Sequence, residues 1–252
     1  ALYCRFVLTS DVVVDDRTYI NLLLQRLGIL PLIVLAVGTA TGQVTESGYH
    51  LKGNTVRVPF EFVNNAIILK GEVNGQEGLN FLVDTGANVT LIFMDTLVKL
   101  TKTQKTITVR GFGERDSVQA FISIYNHMSF KGITAWNQNV VAVPNRLPSL
   151  DDYVGMPIHG IVGFDLFSRY CVRINFNTQN LIVRRQCGRG RNSSRWIVPM
   201  RLVRGVPEIL ARVSGEAGLT EEMLFSVDTG MSLPVLLYED AAADRSVPIN
   251  IG

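Results

Sequence analysis

The 252-residue sequence holds only three cysteines, three histidines and two tryptophans, and charged residues make up just 18% of it. Three cysteines cannot build the disulfide framework on which minimal secreted domains depend. Twenty-four basic residues against 22 acidic ones leave a net charge of +2. That is too little for a protein that grips nucleic acid by neutralising phosphates, so no nucleic-acid partner is expected. His50, His127 and His159 do not fall at metal-ligand spacing, and Cys4, Cys171 and Cys187 contain no Cys-x-x-Cys pair. Neither a metal nor any other cofactor is therefore expected. Gly-x-Ser-x-Gly, His-Glu-x-x-His and P-loop patterns are missing as well. The longest apolar run, residues 27–38, is shorter than the ~20 residues of a membrane span, so no stable span is expected.

What is present is apolar residues, 47% of the chain, enough to offset the entropy of ordering a sizeable core. The 27–38 run has a basic flank at Arg26 and small residues behind it, the pattern of a secretory signal peptide. The alternative is a buried segment of the fold. Residues 1–44 are thus read as a leader, and the location as secreted or periplasmic. Beyond them the sequence breaks into short β-rich segments at 55–58, 66–69, 80–83, 107–109, 120–125, 140–143, 170–176 and 181–185. Turn signals such as Asn74-Gly75 separate them. One short helix is expected at 93–100. Many short strands at close spacing predict an all-β barrel or sandwich. The Arg-, Gly- and Ser-rich stretch 188–197 reads as a linker rather than a basic binding patch.

The sequence also repeats itself. Val58-Pro59 recurs as Val198-Pro199, and Gly78-Leu79 as Gly218-Leu219, each 140 residues on. Val83-Asp84-Thr85-Gly86 then recurs as Val227-Asp228-Thr229-Gly230, with an offset of 144 that a four-residue insertion near 220–223 explains. Two copies of one β unit are expected, a first lobe at 50–187 and a partial second lobe at 198–252. In both copies the Asp-Thr-Gly follows an apolar run. A carboxylate at the end of an apolar strand must be hydrogen-bonded or shift its pKa. Glycine lets backbone N–H groups approach it, and threonine supplies a hydroxyl to hold the opposing loop. A two-fold pairing of the copies would bring Asp84 and Asp228 together. Two carboxyls at that distance share one proton, one apparent pKa falling and the other rising, and so provide a general base and a general acid.

With these residues the sequence resembles the aspartic peptidases of the retropepsin and pepsin type, and in particular bacterial two-repeat aspartyl proteases. Gly160-Ile161-Val162-Gly163, followed by Phe164-Asp165-Leu166-Phe167, matches the hydrophobic-Gly element placed under the catalytic loop in that family. The resemblance implies an acid-protease-like β-barrel fold of two related lobes and hydrolysis of a polypeptide substrate. It makes Asp84 and Asp228 catalytic, Thr85, Gly86, Thr229 and Gly230 supports of the catalytic loops, and Gly111, Phe112 and Gly113 the tip of a substrate flap. Met231 stands where a smaller residue is usual. The second copy's counterpart of the 160–163 element would fall beyond Gly252, so the second lobe is expected to be truncated. Two other readings stay open: a non-catalytic peptide-binding or interaction domain on the same scaffold, and a homodimer formed through the first lobe. A disulfide between Cys171 and Cys187 is also left open, since a hairpin centred between Thr178 and Gln179 puts Cys187 one residue out of register.

Overall fold

A computed structural model describes residues 47–94, 100, 102–110, 117–144, 148–187, 198–203, 205–214 and 220–231. The expected leader, the linker at 188–197 and the flap tip Gly111, Phe112 and Gly113 lie outside the described residues. Among those described, no helix is long and apolar enough to cross a membrane.

The chain is nearly all β, as its short alternating segments predict. In strand order the first part runs β1 (Gly48–Leu51), β2 (Thr55–Pro59), β3 (Glu61–Val63), β4 (Ala66–Val73), β5 (Gln76–Val83) and β6 (Leu91–Phe93). It continues through β7 (Lys102–Arg110), β8 (Ser117–Phe130), β9 (Ile133–Val143), helix α1 (Pro148–Val154), β10 (Gly160–Val162), helix α2 (Phe164–Phe167), β11 (Cys171–Asn175) and β12 (Asn180–Arg184). Within the nine-stranded sheet, β9, β6, β10, β5, β4 and β8 pair in turn, and β8 pairs back with β9, so these six strands close into a ring. Closure leaves these strands without a free edge. The core inside includes Ile68, Leu82, Phe93, Val143 and Ile158, each at most 3% exposed.

Turn chemistry sets the register. Asn74 and Gly75 both have positive φ between the paired Val73 and Gln76, and Asn64 and Asn65 do the same between Val63 and Ala66. Two-residue loops of this kind match the twist of the flanking strands. Of the helix expected at 93–100, residues 95–99 lie outside the described residues; Phe93 ends strand β6, because Leu91–Phe93 completes the ring between β9 and β10. Among the described residues the helices are α1 and α2, which carry no clear helical periodicity in sequence.

A second sheet, β11-β12-β2, joins the two ends of the first lobe. Its hairpin turns one residue earlier than expected, with Asn175 opposite Asn180 and Cys171 opposite Arg184. Phe176 leaves the ladder and its ring packs edge-on against Phe60 and Phe62, with centroids 5.9 and 5.0 Å away. Cys187 is therefore three residues past the partner of Cys171, yet the two form a disulfide with Cα atoms 5.4 Å apart. The chain bends back to allow this: Arg185 N–H donates to the Asn54 carbonyl, and its guanidinium donates to the carbonyls of Gly53 and Leu51.

The third sheet is β13 (Met200–Val203), β14 (Val206–Ser214) and β15 (Thr220–Ser226). Its register repeats that of β3, β4 and β5. Glu61 opposite Ile68 becomes Arg201 opposite Glu208, and Leu69 opposite Phe81 becomes Ile209 opposite Phe225. Offsets of 140 and 144 read from the sequence thus reappear as strand pairings.

The disulfide spans a sequence separation of 16, a loop whose cross-linking contributes about 3 kcal/mol in the chain-entropy account. Cys171→Ser should lower stability by about 2–4 kcal/mol, read as the urea midpoint with and without reductant. The wild type should respond to reductant and the variant should not.

Candidate functional site

The site is built where β10 slides between two strands that are nearby in sequence. β5 ends at Val83 and β6 begins at Leu91, but they do not pair; β10 lies between them, parallel to β5 and antiparallel to β6. Residues 84–90 must therefore cross over the end of β10. The Asp84 N–H donates to the Val162 carbonyl at 3.0 Å, and the Phe164 N–H donates to the Ala87 carbonyl at 2.7 Å. Gly163 allows this overlap, since a Cβ there would lie 2.8 Å from the Ala87 oxygen. The hydrophobic-Gly element expected beneath the loop is found there.

Asp84, Thr85 and Gly86 meet Asp228, Thr229 and Gly230 from the second copy. The Thr85 hydroxyl donates to the Val227 carbonyl at 2.6 Å and accepts the Thr229 N–H at 3.1 Å. Reciprocally, the Thr229 hydroxyl donates to the Val83 carbonyl at 2.9 Å and accepts the Thr85 N–H at 3.1 Å. Each hydroxyl is used as donor and acceptor at once, which only serine or threonine offers in so small a volume. Thr85 is fully buried, which limits the access of competing water to its side of these part-buried bonds.

Each carboxylate is held by its own loop. Asp84 Oδ1 accepts the N–H groups of Gly86 and Ala87 at 2.7 and 3.2 Å, and Asp228 Oδ1 accepts the Gly230 N–H at 2.7 Å. The glycines also make room for the opposite carboxyl. A Cβ on Gly86 would lie 2.8 Å from the Asp228 carboxyl carbon, and one on Gly230 would lie 2.5 Å from that of Asp84. Alanine at either position would push the two acids apart. Asp84 and Asp228 are hydrogen-bonded to each other. Burial, then the neighbouring Asp228 charge and hydrogen bond, push the Asp84 carboxyl from the ordinary 3.8 up to about 7. The backbone donors of Gly86 and Ala87 oppose that rise.

The sequence gives no sign of a second polar cluster beneath the same loop. Thr90, the last loop residue, donates its hydroxyl to Asp165 Oδ1 at 2.9 Å and shares a hydrogen bond with the Tyr49 hydroxyl at 2.8 Å. Gln138 on β9 donates to Asp165 Oδ2 at 3.0 Å. Tyr49, Thr90 and Gln138 are all buried. Asp165 follows Gly163 so closely that its place under the loop is legible once β10 is located, but its partners on β1 and β9 carry no local signal.

The histidines stand apart from the paired acids. His159 is buried, and its Nδ1 accepts the Asn80 N–H at 3.0 Å. His127 stacks on Trp136 with ring centroids 4.1 Å apart. Among the described residues no group of three or more His, Cys, Asp or Glu side chains could hold a metal.

Two measurements follow from this geometry. Thr85→Val keeps the shape but removes a buried donor and acceptor, and should cost about 2–4 kcal/mol, whereas Thr85→Ser should remain near wild type; chemical denaturation compares them. The raised Asp84 carboxyl binds its proton more tightly in the folded than in the unfolded chain. Its stabilising contribution is complete below pH ~3.8 and is lost as pH rises through about 7. Denaturation midpoints between pH 4 and pH 8 should show that fall in the wild type and a smaller one in Asp84→Asn.

The family described as aspartyl protease has a model that matches residues 69–166, a stretch that contains Asp84-Thr85-Gly86 and Gly160–Gly163 and ends before the second copy. No curated protein matches the chain.

Proposed function

Through residues 69–166 the chain belongs to the aspartyl protease family, and on that premise we propose that it is an aspartic endopeptidase whose catalytic pair is Asp84 and Asp228. The observation that carries this reading is the reciprocal Thr85–Thr229 lock, which holds two carboxyls in hydrogen-bond contact across a part-buried seam.

A pair of this kind holds one proton over a wide pH range. In the proposed reaction the deprotonated carboxyl takes a proton from a water molecule lying against both acids. The resulting hydroxide adds to the carbonyl carbon of a bound peptide, while the protonated carboxyl donates to the carbonyl oxygen. The tetrahedral intermediate then collapses. The C–N bond breaks, the departing nitrogen receives the proton that the base had taken, and the diol oxygen returns the other. One water is consumed, and a carboxylic acid and an amine are released. Thr85 and Thr229 brace the loops, and Gly86 and Gly230 keep the carboxyls in contact.

The lock is made within one chain, which favours a single-chain enzyme over a homodimer of first lobes. The Cys171–Cys187 disulfide supports a secreted or periplasmic location, where such bonds persist. A non-catalytic peptide binder on the same scaffold makes the opposite forecast for turnover.

Cleavage of an unstructured protein substrate should be measurable at acidic pH. It should fall as pH rises past about 7, where Asp84 loses its proton, and a pepstatin-type inhibitor should block it. Asp84→Asn should lower kcat at least ~1,000-fold while leaving the circular dichroism spectrum unchanged. A folded Asp84→Asn that still turns over substrate would exclude the assigned role, and a folded wild type without cleavage at any pH would favour the binder.

A further inference from the structure

We propose that Asp165 is a positioning residue for Asp84: half-buried beneath the 84–90 loop, it clamps the far end of that loop through Thr90 and so fixes the geometry of the paired acids.

The loop is tied at three points. At its start the Asp84 N–H is bonded to Val162, and in its middle the Ala87 carbonyl accepts from Phe164. Both are backbone bonds, indifferent to side-chain identity. At its end the Thr90 carbonyl accepts the Val141 N–H at 3.0 Å, and the Thr90 hydroxyl donates to Asp165. This last bond is set by side chains. Its direction is fixed by a chain of donors: a deprotonated carboxylate only accepts, so the Thr90 hydroxyl must donate to it, which leaves the Thr90 oxygen to accept from Tyr49.

Asp165 thereby collects donors from separate parts of the fold: Thr90 from the loop, Gln138 from β9, and the Leu166 N–H at 3.1 Å from α2. Tyr49 joins through Thr90 from β1, and its own backbone carbonyl accepts the Tyr170 hydroxyl at 2.6 Å. A half-buried carboxylate with these donors aimed at it is a rigid anchor, and removing it would leave the buried Thr90 and Gln138 side chains short of an acceptor. Burial pushes the Asp165 carboxyl above the ordinary carboxylate value, and the hydrogen bonds from Thr90 and Leu166 oppose that rise. Tyr49 is the titratable group that faces Asp165, and the charge of Asp165, after burial, helps to keep the Tyr49 hydroxyl protonated. Asp228 is the titratable group that faces Asp84.

The inference rests on the endopeptidase reading, and its test is built to fail separately from it. Asp165→Asn, Thr90→Val and Thr90→Ser would be compared with wild type, each first checked for folding by circular dichroism and thermal melting. If Asp165 positions the loop, folded Asp165→Asn and Thr90→Val should lose about 10- to 100-fold in kcat with KM within about twofold. Thr90→Ser, which keeps the donor, should restore most of the rate, and the double variant should be no worse than the poorer single one. If Asp165→Asn does not fold, the contrast between Thr90→Val and Thr90→Ser decides.

Should the wild type prove inactive, the endopeptidase reading falls and the clamp is judged by a second readout. Carboxyl-carbon NMR would follow the titration of Asp84 in wild type and in Thr90→Val, which changes no charge. A loosened loop admits water, so the Asp84 midpoint should drop by about one unit from its wild-type value. Folded Thr90→Val with an unchanged Asp84 midpoint would overturn the proposal, as would unchanged kcat in an active enzyme.

Discussion

Two threonine hydroxyls, each giving a proton to one backbone carbonyl of the opposite loop and taking one from its N–H, hold the centre of this molecule together. Left alone, two half-buried carboxyls repel each other once both ionise, and each prefers water to a partly dry seam. They stay together because the surrounding bonds are made by groups that do not ionise. Such bonds contribute on the order of 1 kcal/mol each, and more where loss would strand a buried partner. The upward shift of Asp84 comes first from burial and then from that enforced contact with Asp228. Functional pKa perturbation and structural cost are therefore the same quantity seen from two sides.

The lock works only if each loop arrives in the right place, and for the first loop that is a matter of topology. Inserting β10 between β5 and β6 forces residues 84–90 to arch over a strand end, where backbone bonds to Val162 and Phe164 meet it. A simple hairpin between β5 and β6 would put the same Asp-Thr-Gly on an exposed turn. The short strand Gly160–Val162, 76 residues after Asp84 in the chain, turns a turn motif into a buried site.

Much of this was legible in the residues. The all-β class followed from short alternating strands and turn pairs, and the duplication followed from collinear Val-Pro, Gly-Leu and Asp-Thr-Gly matches. The structure repeats those offsets in its strand register, from Glu61 and Ile68 to Arg201 and Glu208. What escaped was set by long-range contact. The strand Leu91–Phe93 is too short to stand out in sequence and is defined by the ring that it closes between β9 and β10. The hairpin register moved by one residue because Phe176 found Phe60 and Phe62, aromatic partners more than 110 positions earlier. Tyr49 and Gln138 are ordinary strand residues in sequence, and only the packing of β1 and β9 brings them toward Asp165.

The two copies differ in a way that separates what the seam requires from what a core requires. Ile68 and Leu82 sit opposite each other and help to fill the core of the first lobe, while Glu208 and Ser226 occupy the same paired positions in the second. A core cannot accept that exchange unaltered, because an acid and a hydroxyl in place of two aliphatic chains would bury polar groups without the packing they replace. Yet the strand register is kept, and the next residues, Val83 and Val227, each give a carbonyl to the opposite threonine. The seam depends on backbone position and on three side-chain types, Asp, Thr and Gly. The paired strand positions of the two copies can therefore differ chemically while the contact between their loops remains nearly symmetric.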